Sequence, residues 1–234
     1  MELIDLDKAT AYDQAITQSS ANQKLLVCGT KQQCQHVIQG AAQSQQNINS
    51  IIQASKEIDV DSWFQTRKQR LNRGLVGLST DNQGLEPINN GLKHIEGTWP
   101  ESVNTSEELL FVLDKNGFGD DSSQFIQGIR LTVESPWAIP AYFNYGGWND
   151  CPTPDVQCAV WRYWEEKYGA QIVGLSDDIV EAFVLNPPTN KDSAMQLAWE
   201  QFFYCTDIIL QGSQSASNLA ASLLNRKSWF FWWD

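Results

Sequence analysis

Two spacings organise the apolar residues of this chain. Lys24-Leu25-Leu26-Val27-Cys28 is a short apolar run closed by Gly29, which predicts a strand, and Thr30 with Gln33 has the spacing of a helix capping box. From there Val37, Ile38, Ala41, Ile48, Ile51 and Ile52 keep helical spacing, so Gln43, Gln45, Gln46, Asn47 and Asn49 fall on the opposite, solvated face. Asp61-Ser62-Trp63-Phe64 runs into Arg67, Lys68, Arg70 and Arg73, read as an exposed helix end that neutralises nearby acids. Between Gly74 and Gly97, Gly and Asn break the periodicity, which predicts a loop-rich linker between two lobes. A strand is predicted at Glu108 to Leu113. The segment Asp114 to Asp121 that follows is rich in acids, but Phe125 stands where a calcium loop of EF-hand type places its closing Glu, so it is read as an acidic turn without metal.

From Pro136 the pattern is more regular. Ala141 to Tyr145 reads as a strand stopped by Gly146-Gly147. Thr153-Pro154-Asp155 then opens a helix with a cap, a first-turn proline and an acid on the dipole. Val156, Ala159, Val160, Tyr163 and Trp164 form its apolar stripe, and Gly169 ends it. Gln171 to Leu175 and Ile179 to Leu185 are two β-rich runs joined across Ser176-Asp177-Asp178 as a hairpin. Pro187-Pro188 ends the second run. A long helix carries Ala194, Leu197, Ala198, Phe202 and Cys205, a short one starts near Ser215, and the closing run Trp229 to Trp233 makes a last strand. The class is therefore α+β. The expected layout is an N-terminal strand and helix lobe with its linker over residues 1–97, then a C-terminal domain over 98–234 with a ferredoxin-like split βαβ sheet and helices on one face.

Charge narrows the function classes. A formal charge of −12 and a pI near 4.5 argue against a nucleic-acid surface, which needs clustered Lys and Arg, and favour a basic protein partner. No apolar run approaches the roughly 20 residues of a membrane span, and Met1 to Asp7 has no features of a secretory signal, so the expectation is a soluble cytoplasmic protein. Five cysteines without a Cys-x-x-Cys pair fit reduced, buried thiols better than a disulfide framework or a zinc site, and no cofactor is expected.

Candidate chemistry is sparse. His36 and His94 are the only histidines, and both read as ordinary surface residues. Cys151 stands just before a predicted helix N-terminus, where backbone N–H groups favour a thiolate, with Asn149 and Asp150 beside it to orient a substrate. The same residues are also what a packed turn requires, with Trp148 and Cys151 beneath it and Asn149 and Asp150 bonding the loop backbone, and this packing account is preferred. Glu200, Tyr204, Asp207 and Gln211 lie at helical offsets, so Glu200 and Asp207 form a second candidate pair for acid–base work, weighed against a structural role at the Gln211-Gly212 turn. Eight of the ten tryptophans lie from Trp137 onward, more than a small core requires, so exposed aromatics are expected. Tyr145, Trp148, Asn149, Asp150, Tyr204, Gln211, Trp232 and Trp233 are the binding candidates.

Ile139-Pro140-Ala141-Tyr142 leading into Gly146-Gly147-Trp148-Asn149-Asp150-Cys151-Pro152, the Trp161 to Gly169 helix, Pro187-Pro188, Tyr204-Cys205-Thr206-Asp207 with Gln211-Gly212, and the terminal Trp229 to Asp234 together carry a resemblance. The chain resembles the bacterial domain-of-unknown-function family DUF4253 over about its last hundred residues. The resemblance implies a bacterial soluble domain and no particular activity. The leading expectation is therefore a non-enzymatic protein-binding module of the immunity or antitoxin kind, neutralising a basic toxin. An enzyme using Cys151 or the Glu200 and Asp207 pair, and a scaffold or regulatory module, are the alternatives.

Overall fold

The computed structural model describes residues 1–44, 47–77, 91–102 and 125–234. The strand predicted at 108–113, the acidic turn at 114–121 and the middle of the predicted linker lie outside the described residues. The chain forms two compact units, each assembled from separate stretches. The first comprises Met1–Ile58, Glu107–Asn186 and Lys227–Asp234, and the second Asp59–Ser106 and Pro187–Arg226. A boundary between residues 97 and 98 coincides with neither, because strands from both sides of it share one sheet.

In the first unit that sheet contains β1 (Glu2–Asp7), β2 (Gln23–Gly29), β3 (Phe125–Thr132), β4 (Ala170–Leu175), β5 (Ile179–Val184) and β6 (Ser228–Trp232), in the order β1-β3-β2-β4-β5-β6. Every neighbouring pair is antiparallel except β2 with β4. The helices are α1 (Ala11–Thr17), α2 (Lys31–Ser44), α3 (Ile48–Lys56), α5 (Ile139–Phe143) and α6 (Pro154–Tyr168).

The alternation of side chains along a strand assigns the two faces. Leu25 and Val27 of β2 and Ile179 of β5 pack with Ala11, Tyr12 and Ala15 of α1, and half-buried Phe230 and Trp232 of β6 join them. Trp229 and Phe231, one residue out of phase, meet α6 instead: the Phe231 ring stacks on Trp164 at 5.4 Å and Trp229 meets the same ring edge-on at 5.4 Å. Helices thus cover both faces of the sheet, not one as expected. The unbroken buried run Leu25-Leu26-Val27-Cys28 is the reason, since a strand apolar on both faces requires cover on both. A fully buried carboxylate, Glu181 of β5, lies on the α1 face and accepts a hydrogen bond from the Tyr12 hydroxyl.

The strand expected at Ala141 to Tyr145 is instead the end of α5, through Phe143, and the start of the loop after it. Pro140 occupies its first turn and Asn144 closes it in the left-handed conformation at φ 48°. Ala141 packs with Ala138, Ile52 of α3 and Cys158 of α6, so these residues are apolar because a short helix is buried, and a run of this length does not distinguish the two cases. Without that strand the sheet is not ferredoxin-like, and β5 pairs directly with β6.

The second unit is helical: α4 (Val60–Gly77), a 3-10 turn at Gly91–Ile95, α7 (Lys191–Tyr204), a π turn at Ile208–Ser213 and α8 (Ala216–Leu223). Arg67 of α4 is buried and donates through Nε to the Phe203 carbonyl of α7 at 2.9 Å, so part of the expected exposed basic face is in fact a tie between helices. Among the described residues no helix is long and apolar enough to cross a membrane.

Candidate functional site

A cleft of about 520 Å³ opens in the first unit beside the ends of β2 and β4. These strands run parallel, so their carboxyl ends leave the sheet together, and in open α/β sheets the crevice beyond such ends is where ligands sit. Gly29 turns the chain out of β2 with φ at 83°, a conformation that favours glycine. The capping box then starts α2: the Thr30 amide donates to Gln33 Oε1 at 2.8 Å, and the Gln33 amide to Thr30 Oγ1 at 3.2 Å. One turn on, α2 presents His36, Val37 and Gly40 to the cleft.

The other walls come from the turn after β4 and the loop after α5. The first supplies Ser176 and Asp177, and the second runs from Phe143 to Trp148. Close packing fixes the distance between α2 and α5, because a Cβ on Gly40 would stand 2.3 Å from the Phe143 carbonyl oxygen. The loop is equally tight at Gly146, where φ is 112° and a Cβ would stand 1.9 Å from the Pro152 carbonyl oxygen. Tyr145 is buried and meets half-buried Trp148 edge-on at 4.9 Å.

His36 Nδ1 and Asp177 Oδ2 are 3.2 Å apart, each residue a little under half exposed. Asp177 stands beside Asp178, whose carboxyl is pushed above the ordinary range first by burial and then by the charges of Asp177 and Asp234. An aromatic wall and the Asp177 carboxylate therefore meet in one cavity. Among the described residues no group of three His, Cys, Asp or Glu side chains is arranged to hold a metal ion.

The residues singled out from sequence are dispersed. Tyr145 and Trp148 line the cleft, whereas Asn149, in the left-handed region at φ 47°, and Asp150 continue the loop outside its lining. Cys151 is buried at 5 % exposure; its amide closes a turn onto the Trp148 carbonyl at 2.9 Å and its sulfur accepts from Gln157 Nε2 at 3.1 Å. Helix α7 ends at Tyr204, and Cys205 is extended, so the stripe from Glu200 to Gln211 does not continue along one helix. Glu200 is buried and accepts from Gln196 Nε2, while Asp207 accepts from Gln211 Nε2 at 3.1 Å on the outer side of the π turn. Tyr204 and Trp233 are core residues, and Trp232 packs with the α1 cluster. None of the ten tryptophans is exposed.

His36 and Asp177 escaped the sequence reading, which left one as a surface histidine and the other as a turn residue. They are separated by 141 positions, and no local motif signals a contact made by the parallel pairing of β2 and β4.

Residues 129–234 match the model of the family described as Domain of unknown function (DUF4253). No curated protein and no solved structure matches the chain. The matched segment supplies the Phe143 to Trp148 and Ser176-Asp177 walls of the cleft, and α2 with His36 precedes it. Over residues 129–234, a little under half of its length, the chain is similar to the DUF4253 family.

Proposed function

We propose that this protein is a binding module that takes a cationic side chain of a basic protein partner into the cleft between α2, the α5 loop and the Ser176-Asp177 turn, in the manner of an immunity or antitoxin protein. The observation that carries this reading is the meeting of Trp148 and Asp177 in one cavity. A lysine or arginine there gains a carboxylate at its head and an aromatic face along its stem, and cation–π contacts of this kind contribute about 0.5–2 kcal/mol. Asp178 stands next to Asp177 and within reach of the charge of Asp234, and the chain's charge of −12 adds a long-range field that steers a basic partner. The toxin class of the partner rests on that charge alone.

The test is association kinetics with a partner recovered from the native host. Association is expected to slow as salt rises to physiological strength, where exposed charges farther apart than about 8 Å are screened. Asp177→Asn and Trp148→Ala are each expected to weaken the complex. Salt-independent association, or wild-type affinity in both variants, overturns the reading.

The His36–Asp177 contact favours a second reading, acid–base chemistry on a small molecule in the same cleft. With Nδ1 held by Asp177, Nε2 is the nitrogen available to a bound molecule. His36→Gln separates the two: it removes function if the imidazole handles a proton. Partner affinity is instead kept or raised if His36 merely competes with the incoming cation for Asp177.

A further inference from the structure

We infer that the helical unit carries a second site, a cavity of about 430 Å³ among α4, the Gly91–Ile95 turn and α7, which binds a small amphiphilic amine: an ammonium group on an aromatic or hydrocarbon body. This site lies outside the cleft and does not depend on the function proposed for it. Helix α7 presents Gln196, Trp199, Glu200 and Phe203 to the cavity at offsets of three, four and seven, a single helix face. The Trp199 and Phe203 rings stack at 5.9 Å with 21° between their planes, and Phe64 from α4 stands 6.4 Å from Phe203. These three rings make a slab for an apolar body. Glu200 sits in the same wall at only 6 % exposure, with Gln196 Nε2 donating to its Oε1 at 3.0 Å.

The ionisable groups at the mouth, Asp61, Lys68, Lys93 and Glu96, are exposed and mixed in sign, so the recessed charge decides what is recognised. That charge is a carboxylate flanked by rings, where a cation's attraction is less screened than at the surface. The volume suits a small ligand and is within the usual range for such sites. A hydrophobic cation satisfies both halves of the wall. An anion of the same shape meets the carboxylate unfavourably, and a neutral ring gains only the slab.

Isothermal titration of the full chain with tryptamine, indole and indole-3-acetate tests this. Tryptamine is expected to bind at one saturable site, more tightly than indole, and indole-3-acetate more weakly than either. Glu200→Gln is expected to weaken tryptamine at least about tenfold, the effect of losing one side of a buried charge pair. Trp199→Ala, at a half-buried position, is expected to weaken it as well and carries the test if Glu200→Gln does not fold. In an Asp177→Asn background, where the cleft has lost its carboxylate, the Glu200-dependent binding of tryptamine is expected to persist, which separates this site from the cleft. No binding of tryptamine at millimolar concentration, tighter binding of the acetate, or wild-type affinity in folded Glu200→Gln overturns the proposal.

Discussion

Gly40 and Gly74 are both helical glycines, and the same substitution is expected to act on them in opposite directions. At Gly74 of α4 a Cβ meets nothing within 4 Å, so Gly74→Ala gains helix propensity, about 0.5–1 kcal/mol of stability. At Gly40 a Cβ would press on the Phe143 carbonyl oxygen at 2.3 Å, so α2 must lift off α5 at a cost of about 1–3 kcal/mol. Urea denaturation of the two variants checks both signs. Asp178 supplies the pH dependence at this scale. Its carboxyl is raised by burial and by neighbouring acids, so the folded state holds the proton more tightly than the unfolded chain does. That stabilisation is fully present below the unfolded value of about 3.9 and is lost as pH rises through the raised folded value. Asp178→Asn is therefore expected to raise the melting temperature over wild type at pH 7, with the gap closing toward pH 4. A gap that is constant with pH contradicts the assignment. Neither Gly40 nor Asp178 stands out in the sequence, because the close approach of Phe143 to the one and the burial of the other exist only once the chain has folded.

At the level of elements, β6 tests how alternation divides the aromatic run between the two faces. Trp229 is 2 % exposed beside Trp164, so Trp229→Ala is expected to cost about 3–5 kcal/mol, whereas half-buried Trp232 on the α1 face is expected to cost clearly less. Equal losses in a denaturant series would mean the strand is out of register. Elements whose signals are local were legible in the sequence. The Thr30 and Gln33 capping box forms as its spacing predicts, Pro154 and Gly169 bracket α6, and the turn at Ser176 joins β4 to β5. Where apolar content alone was available the reading failed. Ala141 to Tyr145 is apolar enough for a strand or a buried helix, and the number of tryptophans suggests that some are exposed, whereas T-shaped and stacked pairs among Trp161, Trp164, Trp229 and Phe231 absorb three of them into the core. Half of the cleft was likewise visible: Tyr145 and Trp148 were legible as a tight aromatic turn, and the His36 and Asp177 half was not.

The whole molecule carries its charge and its topology on different parts of the sequence. Its acidity is a property of the full chain and sets which partners approach, but the cleft depends on one join, the parallel contact of β2 with β4. Along the sheet, β2 lies between β3 and β4, so β4 and the part of β3 that falls within the matched segment, residues 129–132, are held apart in space by a strand from outside it. The matched residues 129–234 thus do not hold the whole of the sheet they contribute to. Expressed alone, they would leave β4 with a raw strand edge where β2 belongs, a template for association with another copy. The excised segment is expected to elute as oligomers or aggregate in size-exclusion chromatography, and a monomeric, cooperatively melting fragment would show that β2 is dispensable. By the same logic the missing strand is a keystone that can arrive from elsewhere: a peptide spanning residues 23–29, added during refolding, meets the open edge of β4 on one side and residues 129–132 of β3 on the other.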